Sequence, residues 1–552
     1  LHAAVSENPY SIAIRLDLAE AYRRAGYPDL TVGEAYKALL LVDEVLDESG
    51  EYHEVALEAA QADIGREWTD KRLEHAETEV EVEVDEASMW TETVWRDAAY
   101  AYVAGSLLMC GCLKSASEIC DRGINANPSN AALLVIKDRL QLVLEAYMKE
   151  RGWSLSDEDI TIDDYPERGF VRRELYPWWS SHEPDRYSPE SLTLLNQQLS
   201  AVAPQLEARV TELPLLATTT TSTSTSTTPP QTVKQLGVYA KTSIPPKTPI
   251  LNETSLLTAN SRLHDTFCDA CSAALPPLTT SSPTTTVSCD SCSDTIFCSP
   301  TCHDLAQQSY HPALCDRDVA AIAKDAPATE AADALYSLLL LRALAMAVTQ
   351  RRHPLRLPEV AYIWGDYHNT PLEAFRCDER GPTGDAFGGM PRTLPWTFSA
   401  NVLTPLHMLE KMDVDIFAPE NSNINHSTPD ISNPWLFNAL YARFRGTASA
   451  RQGRDGKPDV GAVHPLWCLA NHSCDPNVRW EWEGTMKFWV RGREERVFWG
   501  EEEGKGKKEG LKEGEEVLSH YCDIELGVRE RREWAVGALG GFCMCERCIW
   551  EE

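Results

Sequence analysis

A chain of 552 residues has room for three or more domains, and its composition, 43% apolar and 24% charged, is that of a soluble globular protein. A net charge of -33 argues against a nucleic-acid-binding surface, which needs basic patches. It suits basic partners such as lysine-rich tails. No secretory signal is visible in a chain that begins at Leu1. The most apolar segment, Ala334–Val348, is short and broken by Arg342, so it reads as a core helix and no membrane span is expected. Most of the 17 cysteines stand in metal-ligand spacings, which points to a reducing compartment, cytoplasmic and/or nuclear.

Taken in order, residues 1–215 carry helix-period apolar residues. Leu18, Ala19, Tyr22 and Gly26 resemble the first half of a tetratricopeptide repeat, and Val103, Leu107, Gly111, Ala116 and Pro128 resemble the second half. Small residues let paired helices approach, and Pro128 stops the second helix. The acidic run Glu74–Glu86, with its alternating valines, fits helix, strand or loop alike. Residues 216–231 hold a Ser/Thr/Pro tract without an apolar anchor. Such a tract cannot offset the entropy of ordering, so a linker and a domain boundary are expected there. Leu236–Leu251 alternates apolar residues around two turns, as two short strands do.

Cys268 to Cys315 contains four ligand pairs: Cys268 and Cys271, Cys289 and Cys292, Cys298 and Cys302, His311 and Cys315. Eight ligands suit two tetrahedral zincs, and so short a segment buries little core without such staples. The Ser/Thr/Pro-rich run Leu275–Val287 is a lengthened loop between ligand pairs. His303 has no ligand partner and reads as an exposed helix residue. Residues 316–445 turn helical again, most strongly at Ala331–Gln350. His407, His426 and His464 read as surface or core histidines.

Trp480–Glu483 and Met486–Val490 alternate like hairpin strands around Glu483-Gly484. Between this hairpin and the preceding helices lies Leu469-Ala-Asn-His-Ser-Cys-Asp-Pro-Asn-Val478. Asn471, His472 and Ser473 offer amide, imidazole and hydroxyl groups to a polar small molecule. Asp475-Pro476-Asn477 is turn chemistry. Trp499–Glu513 reads as a solvated charged loop, and Glu515–Tyr521 as a strand. Cys474 together with Cys543, Cys545 and Cys548 makes a closed four-thiolate zinc site that ties the C-terminus back to the Asn471 stretch.

The order Asn471-His-Ser-Cys-Asp-Pro-Asn477, Gly514-Glu-Glu…Tyr521 and Cys543-x-Cys545-x-x-Cys548 resembles the SET-domain protein-lysine methyltransferases that carry a MYND zinc finger. The resemblance covers residues 232–552. It implies an α+β multidomain fold: SET N-terminal strands (232–267), an inserted MYND finger (268–315), a helical insert (316–445), a β-rich SET core with a pseudo-knot (446–530) and a post-SET zinc tail (531–552). The N-terminal helical repeat-like domain (1–215) precedes them. It further implies S-adenosylmethionine as cofactor, held by Gly237, Tyr239, Asn471, His472 and Phe542, with Tyr521 as the catalytic tyrosine and Asn438 at the lysine channel. The finger's ligation would be interleaved: Cys268, Cys271, Cys298 and Cys302 on one ion, Cys289, Cys292, His311 and Cys315 on the other. With the tail this makes three zinc ions. The implied partners are a protein with an accessible lysine and a proline-rich peptide at the finger; direct nucleic-acid binding is not expected. One departure stands out, since the family's second tyrosine, about four residues before Cys543, is Leu539 here. That departure motivates a competing expectation, a non-catalytic interaction scaffold with a degenerate SET domain.

Overall fold

The computed structural model describes residues 1–72, 82–156, 159–214, 232–261, 267–276, 286–319, 322–324, 326–327, 329–363, 392–418, 429–453, 456–500, 509–539 and 541–552. The Ser/Thr/Pro tract, His426, and most of both the acidic run and the Leu275–Val287 loop lie outside the described residues, as do residues 501–508 of the charged run. The described chain mixes helix with small sheets. It divides into two compact units, Leu1–Arg173 with Phe375–Asn438, and Glu174–Ala374 with Ala439–Glu552.

The first unit is helical. Ser11 accepts the Ile14 amide and starts Ile12–Arg24, and Pro28 opens Pro28–Leu46, where its missing N–H is not needed. Val84–Trp90 passes through a wider-wound turn, Thr91–Trp95, into Arg96–Cys110. The end of the acidic run is therefore helix. Leu113–Ala126 stops before Pro128, with Asn127 extended as a residue near proline tends to be, and Asn130 caps Ala131–Glu150 through the Leu133 amide. Leu18, Ala19, Tyr22, Val103, Leu107 and Ala116 are all buried. The strand Gly169–Arg172 pairs antiparallel with Arg392–Trp396, and buried Asn438 links Asn401 to Asp29. These bonds put Arg392–Trp396, Asn401 and Asn438 with the N-terminal helices, so the expected insert 316–445 is not one block.

In the second unit, Leu206–Pro214 and Thr232–Ala240 pair antiparallel over their full length, from Leu206 opposite Ala240 to Pro214 opposite Thr232. The Ser/Thr/Pro tract therefore joins two neighbouring strands of one unit. The boundary expected there falls instead at Arg173/Glu174. A three-stranded sheet places Met486–Val490 between Val478–Trp482 and Pro249–Glu253. Its hairpin turns at Gly484, whose φ of +79° favours glycine. A second sheet orders Thr258–Asn260, Pro458–Ala462 and Ser449–Gln452. Leu195, Leu199, Leu206, Leu236, Leu251, Val460, Val478 and Phe488 belong to the core they share.

The helix Ala331–Gln350 is long and apolar enough to cross a membrane by length and composition, but it is buried in this unit, Leu338 to Val348 without interruption. Arg342 explains how a charge sits within it. Its guanidinium donates to the carbonyls of Leu256 and Asp269 and to the Asp269 carboxylate, and lies over the Tyr310 ring. Tyr310 also donates to Asp269, so the core helix and the cysteine-rich segment are held by one satisfied ionic group.

Candidate functional site

The cysteine-rich segment gathers its ligands in two interleaved sets. Cys268, Cys271, Cys298 and Cys302 form one, and Cys289, Cys292, His311 and Cys315 the other; within each set the ligand atoms lie within 4.8 Å of one another. Cys474, Cys543, Cys545 and Cys548 form a third. Ligand distances within these sets are 3.7 Å for Cys271–Cys298, 3.6 Å for Cys298–Cys302, 3.8 Å for Cys289–Cys315, 3.7 Å for Cys292–His311, 3.9 Å for Cys474–Cys543 and 3.4 Å for Cys474–Cys548. Four thiolates about 2.3 Å from a tetrahedral zinc would stand roughly 3.8 Å apart, and a disulfide would need about 2.05 Å. The spacing fits a metal, and the cysteines are free. His303 is less exposed than expected: its ring meets Phe297 edge-on and its Nδ1 lies 3.0 Å from Asp304.

Around the tail set the sequence supplies arginines that motif reading passed over. Arg531, fully buried, donates to Cys548 Sγ and to Glu551. Arg547 donates to the carbonyls of Cys474 and Ile524, and Arg532 to that of Cys543. Four thiolates on a dication would leave net negative charge, which these donors to the sulfur and to neighbouring carbonyls would offset.

The Asn471 stretch crosses the end of the chain beside this set. Asn471–His472 runs parallel to Leu518–Ser519. The expected strand Glu515–Tyr521 is regular only at these two residues, because its backbone changes partners. Val517 donates to the Val238 carbonyl, and the Asn477 side chain accepts from the Leu518 amide and donates to the Glu516 carbonyl. Asn477, taken as a turn residue, thus acts as a strand neighbour.

A cavity of about 590 Å³ opens here, lined by Asn471, His472, Ser473, Tyr521, Leu539, Cys543 and Cys545 among others. The Asn471 amide donates to the Leu236 carbonyl (3.0 Å) and to Glu516 Oε1 (2.7 Å). Burial raises the Glu516 carboxyl above its usual range, while hydrogen bonds from Asn471 and Tyr239 oppose the shift. The Tyr521 hydroxyl donates to the Ala470 carbonyl at 2.8 Å, and burial raises its pKa so that it stays protonated.

His472 has both ring nitrogens committed. Nδ1 accepts from the Tyr521 amide at 3.0 Å, and Nε2 lies 3.3 Å from Cys474 Sγ. A backbone N–H can only donate, so the proton of the neutral ring is on Nε2 and points at sulfur. Burial, which brings the ring's pKa down to about 4, favours that neutral form. His472, Cys474 and Cys522 also lie within 4.8 Å of one another, but a protonated Nε2 cannot ligate. Within that trio the His472–Cys474 hydrogen bond supports the tail set.

Three of the six residues expected to serve cofactor or catalysis, Asn471, His472 and Tyr521, are brought together on the cavity wall. Gly237, Tyr239 and Phe542 are not among its lining residues, although Gln235, Leu236, Cys543 and Met544 are. At Gly237 a Cβ would fall 2.5 Å from Glu516 Oε1 and 3.2 Å from Asn471 Nδ2, so glycine is what lets these side chains close over the strand. Asn438 lies in the first unit, bonded as described, and does not line the cavity. His464 is a buried core histidine edge-on to Trp482, and His407 is exposed beside Glu410. Sequence reading also missed Arg496 and Trp499 on the cavity wall.

Over 83 residues the chain is 34% identical to a curated protein named histone-lysine N-methyltransferase SET5, from Vanderwaltozyma polyspora. The match spans 15% of this chain and 14% of that relative. No family model matches the chain.

Proposed function

We propose that the protein transfers a methyl group from S-adenosylmethionine to a lysine side chain of a protein substrate. The observation carrying this reading is the convergence of Asn471, His472 and Tyr521 with the tail residues Cys543 and Cys545 on one cavity. The partial similarity to a curated histone-lysine methyltransferase supports the same reaction. The pairing of Asn471–His472 with Leu518–Ser519, and the return of the tail cysteines to Cys474, support a SET-like knotted core. Interleaved ligand sets in 268–315 support a MYND-type finger with zinc at all three centres.

The cavity suits the cofactor by size, since small-molecule sites span roughly 300–1,000 Å³. It also suits it by unused hydrogen-bonding capacity: Trp499 Nε1 is a buried polar atom on a lining residue without a hydrogen-bond partner in the structure, while the lining residues Arg496 and Asp475 face each other as an ion pair at 3.6 Å. When bound, S-adenosylmethionine supplies an electrophilic methyl group on a sulfonium sulfur. The chain positions the partners and excludes water. Asn471, braced by Glu516 and Leu236, keeps its carbonyl oxygen for a ligand. Tyr521 is fixed at its amide by His472 and at its hydroxyl by Ala470. Its protonated oxygen retains lone pairs for the lysine nitrogen, which must be neutral to attack; desolvation lowers an ammonium pKa and promotes that form.

The test is transfer of labelled methyl to protein lysines by wild type and Tyr521→Phe. The variant keeps the ring and loses the hydroxyl, so cofactor affinity should hold. Turnover should fall by roughly ten- to a thousand-fold, or about 1.4–4 kcal/mol in the barrier. Unchanged turnover would reject this role. Leu539 on the cavity wall favours the second reading, a scaffold with an inactive core. A wild type that binds cofactor without turnover, activated by Leu539→Tyr, would establish it.

A further inference from the structure

The tail centre has one thiol more than a tetrahedral metal needs. Cys522, 4% exposed, belongs to the buried cluster of Cys474, Cys543 and Cys548. Its sulfur is within 4.8 Å of Cys474 Sγ and of the His472 ring nitrogen. The four tail thiols form their own set, and Cys474 is the member common to both. A reserve ligand would be grouped with all the other tail thiols, whereas Cys522 is grouped with Cys474 and His472. The protonated Nε2 of His472 excludes a second metal there. A thiol within 4.8 Å of a single ligand sulfur is placed to bond that sulfur after a small side-chain movement.

We propose that Cys474 and Cys522 form an oxidation site, at which a peroxide joins the two sulfurs in a disulfide and the tail metal is released. The Cys474 thiolate attacks hydrogen peroxide, breaking its O–O bond and giving a sulfenic acid and hydroxide. The Cys522 sulfur then attacks the sulfenic sulfur, and the S–O bond breaks. The oxygen leaves as water with the Cys522 proton. In sum, one thiolate, one thiol and one hydrogen peroxide give one disulfide, one water and one hydroxide; the two sulfurs lose two electrons and peroxide gains them. The cavity, which reaches His472, Cys543 and Cys545, gives a small oxidant a path to the cluster. Once Cys474 is withdrawn, three thiolates remain around the metal, and a four-coordinate structural centre is no longer closed.

This inference rests on the fit of the tail set to a metal and does not depend on methyl transfer. The experiment treats the full-length zinc-loaded protein with hydrogen peroxide, follows zinc with a chromogenic chelator, and maps disulfides by peptide mass. Wild type should release about one zinc per chain as a Cys474–Cys522 link appears, and a thiol reductant with added zinc should reverse both. Cys522→Ser and Cys522→Ala should hold the wild-type amount of zinc at rest and release it several-fold more slowly. Equal release in these variants, or links confined to other cysteines, would overturn the proposal. So would reduced resting zinc in both variants, which would make Cys522 a ligand.

Discussion

Glu253 carries an unusual load for one residue. The residue is 4% exposed, and its carboxylate accepts the amides of Leu466 and Trp467 at 3.0 and 2.8 Å, at the start of the turn Trp467–Leu469 that leads into Ala470 and Asn471. No cation pairs with it among the described residues. Burial outweighs the two amide donors and lifts its pKa to about 7. The folded state therefore binds a proton that the unfolded chain, with an ordinary pKa near 4.5, has already released. Stability from this group is present below about pH 4.5 and is lost as pH rises to about 7. The change is on the order of 3 kcal/mol. Glu253→Gln stays uncharged throughout, so the stability of wild type relative to the variant should fall over that interval in denaturant titrations at several pH values. A difference independent of pH would remove the assignment. Nothing in the sequence around Pro249–Glu253 distinguishes this residue from an exposed strand glutamate, because its burial depends on a segment more than 200 positions away. Tyr521 was legible, since its motif fixes its place, while Asn477 and Cys522 gain their roles only once strands distant in sequence cross.

Among the elements, the tail is where local chemistry and tertiary order depend on each other most. The helix Glu546–Glu551 spans six residues, too few to hold by itself. It is fixed by Cys545 and Cys548, by Arg547 reaching Cys474 and Ile524, and by Arg531 reaching Glu551. Cysteine spacing made the ligand sets readable because a tetrahedral ion fixes distances that chain length alone leaves open. The arginine shell was not readable, as arginines in an exposed and a structural helix look alike in sequence. Cys545→Ser should lower bound zinc by about one per chain, and the missing ion withdraws stabilisation on the order of 10 kcal/mol in small metal domains. The helix and the cavity wall at Cys543–Arg547 should then exchange amide hydrogens faster, while the segment Cys268–Cys315 keeps its protection. Cofactor affinity, measured by calorimetry, should fall with it. Full zinc content or unchanged exchange in Cys545→Ser would break the link between the ion and this wall.

At the scale of the whole molecule, the division of the chain departs from what composition suggests. A polar, low-complexity tract is ordinarily a sound marker of a domain boundary, because it has no apolar residues to bury. Here the strands on its two sides pair with each other through nine registered positions, and a long insertion between paired strands is tolerated because loop-closure entropy grows only slowly with length. Leu195, Leu199 and Leu206, all N-terminal to the tract, are almost fully buried in the core that also holds Leu236, Val460 and Val478. Each contributes about 1.5–3 kcal/mol by burial. Their joint loss, with the strand ladder, is comparable to the roughly 5–15 kcal/mol by which a domain is stable. Two fragments therefore separate the alternatives, 174–552 and 232–552. Both lack the first 173 residues and both retain 375–438, so any penalty from exposing that segment is common to them. Fragment 174–552 should give the higher thermal midpoint and a cooperative transition. Fragment 232–552, cut at the tract, should melt without cooperativity or aggregate. Equal midpoints for the two would place the boundary back at the tract and remove Leu206–Pro214 from the folded core.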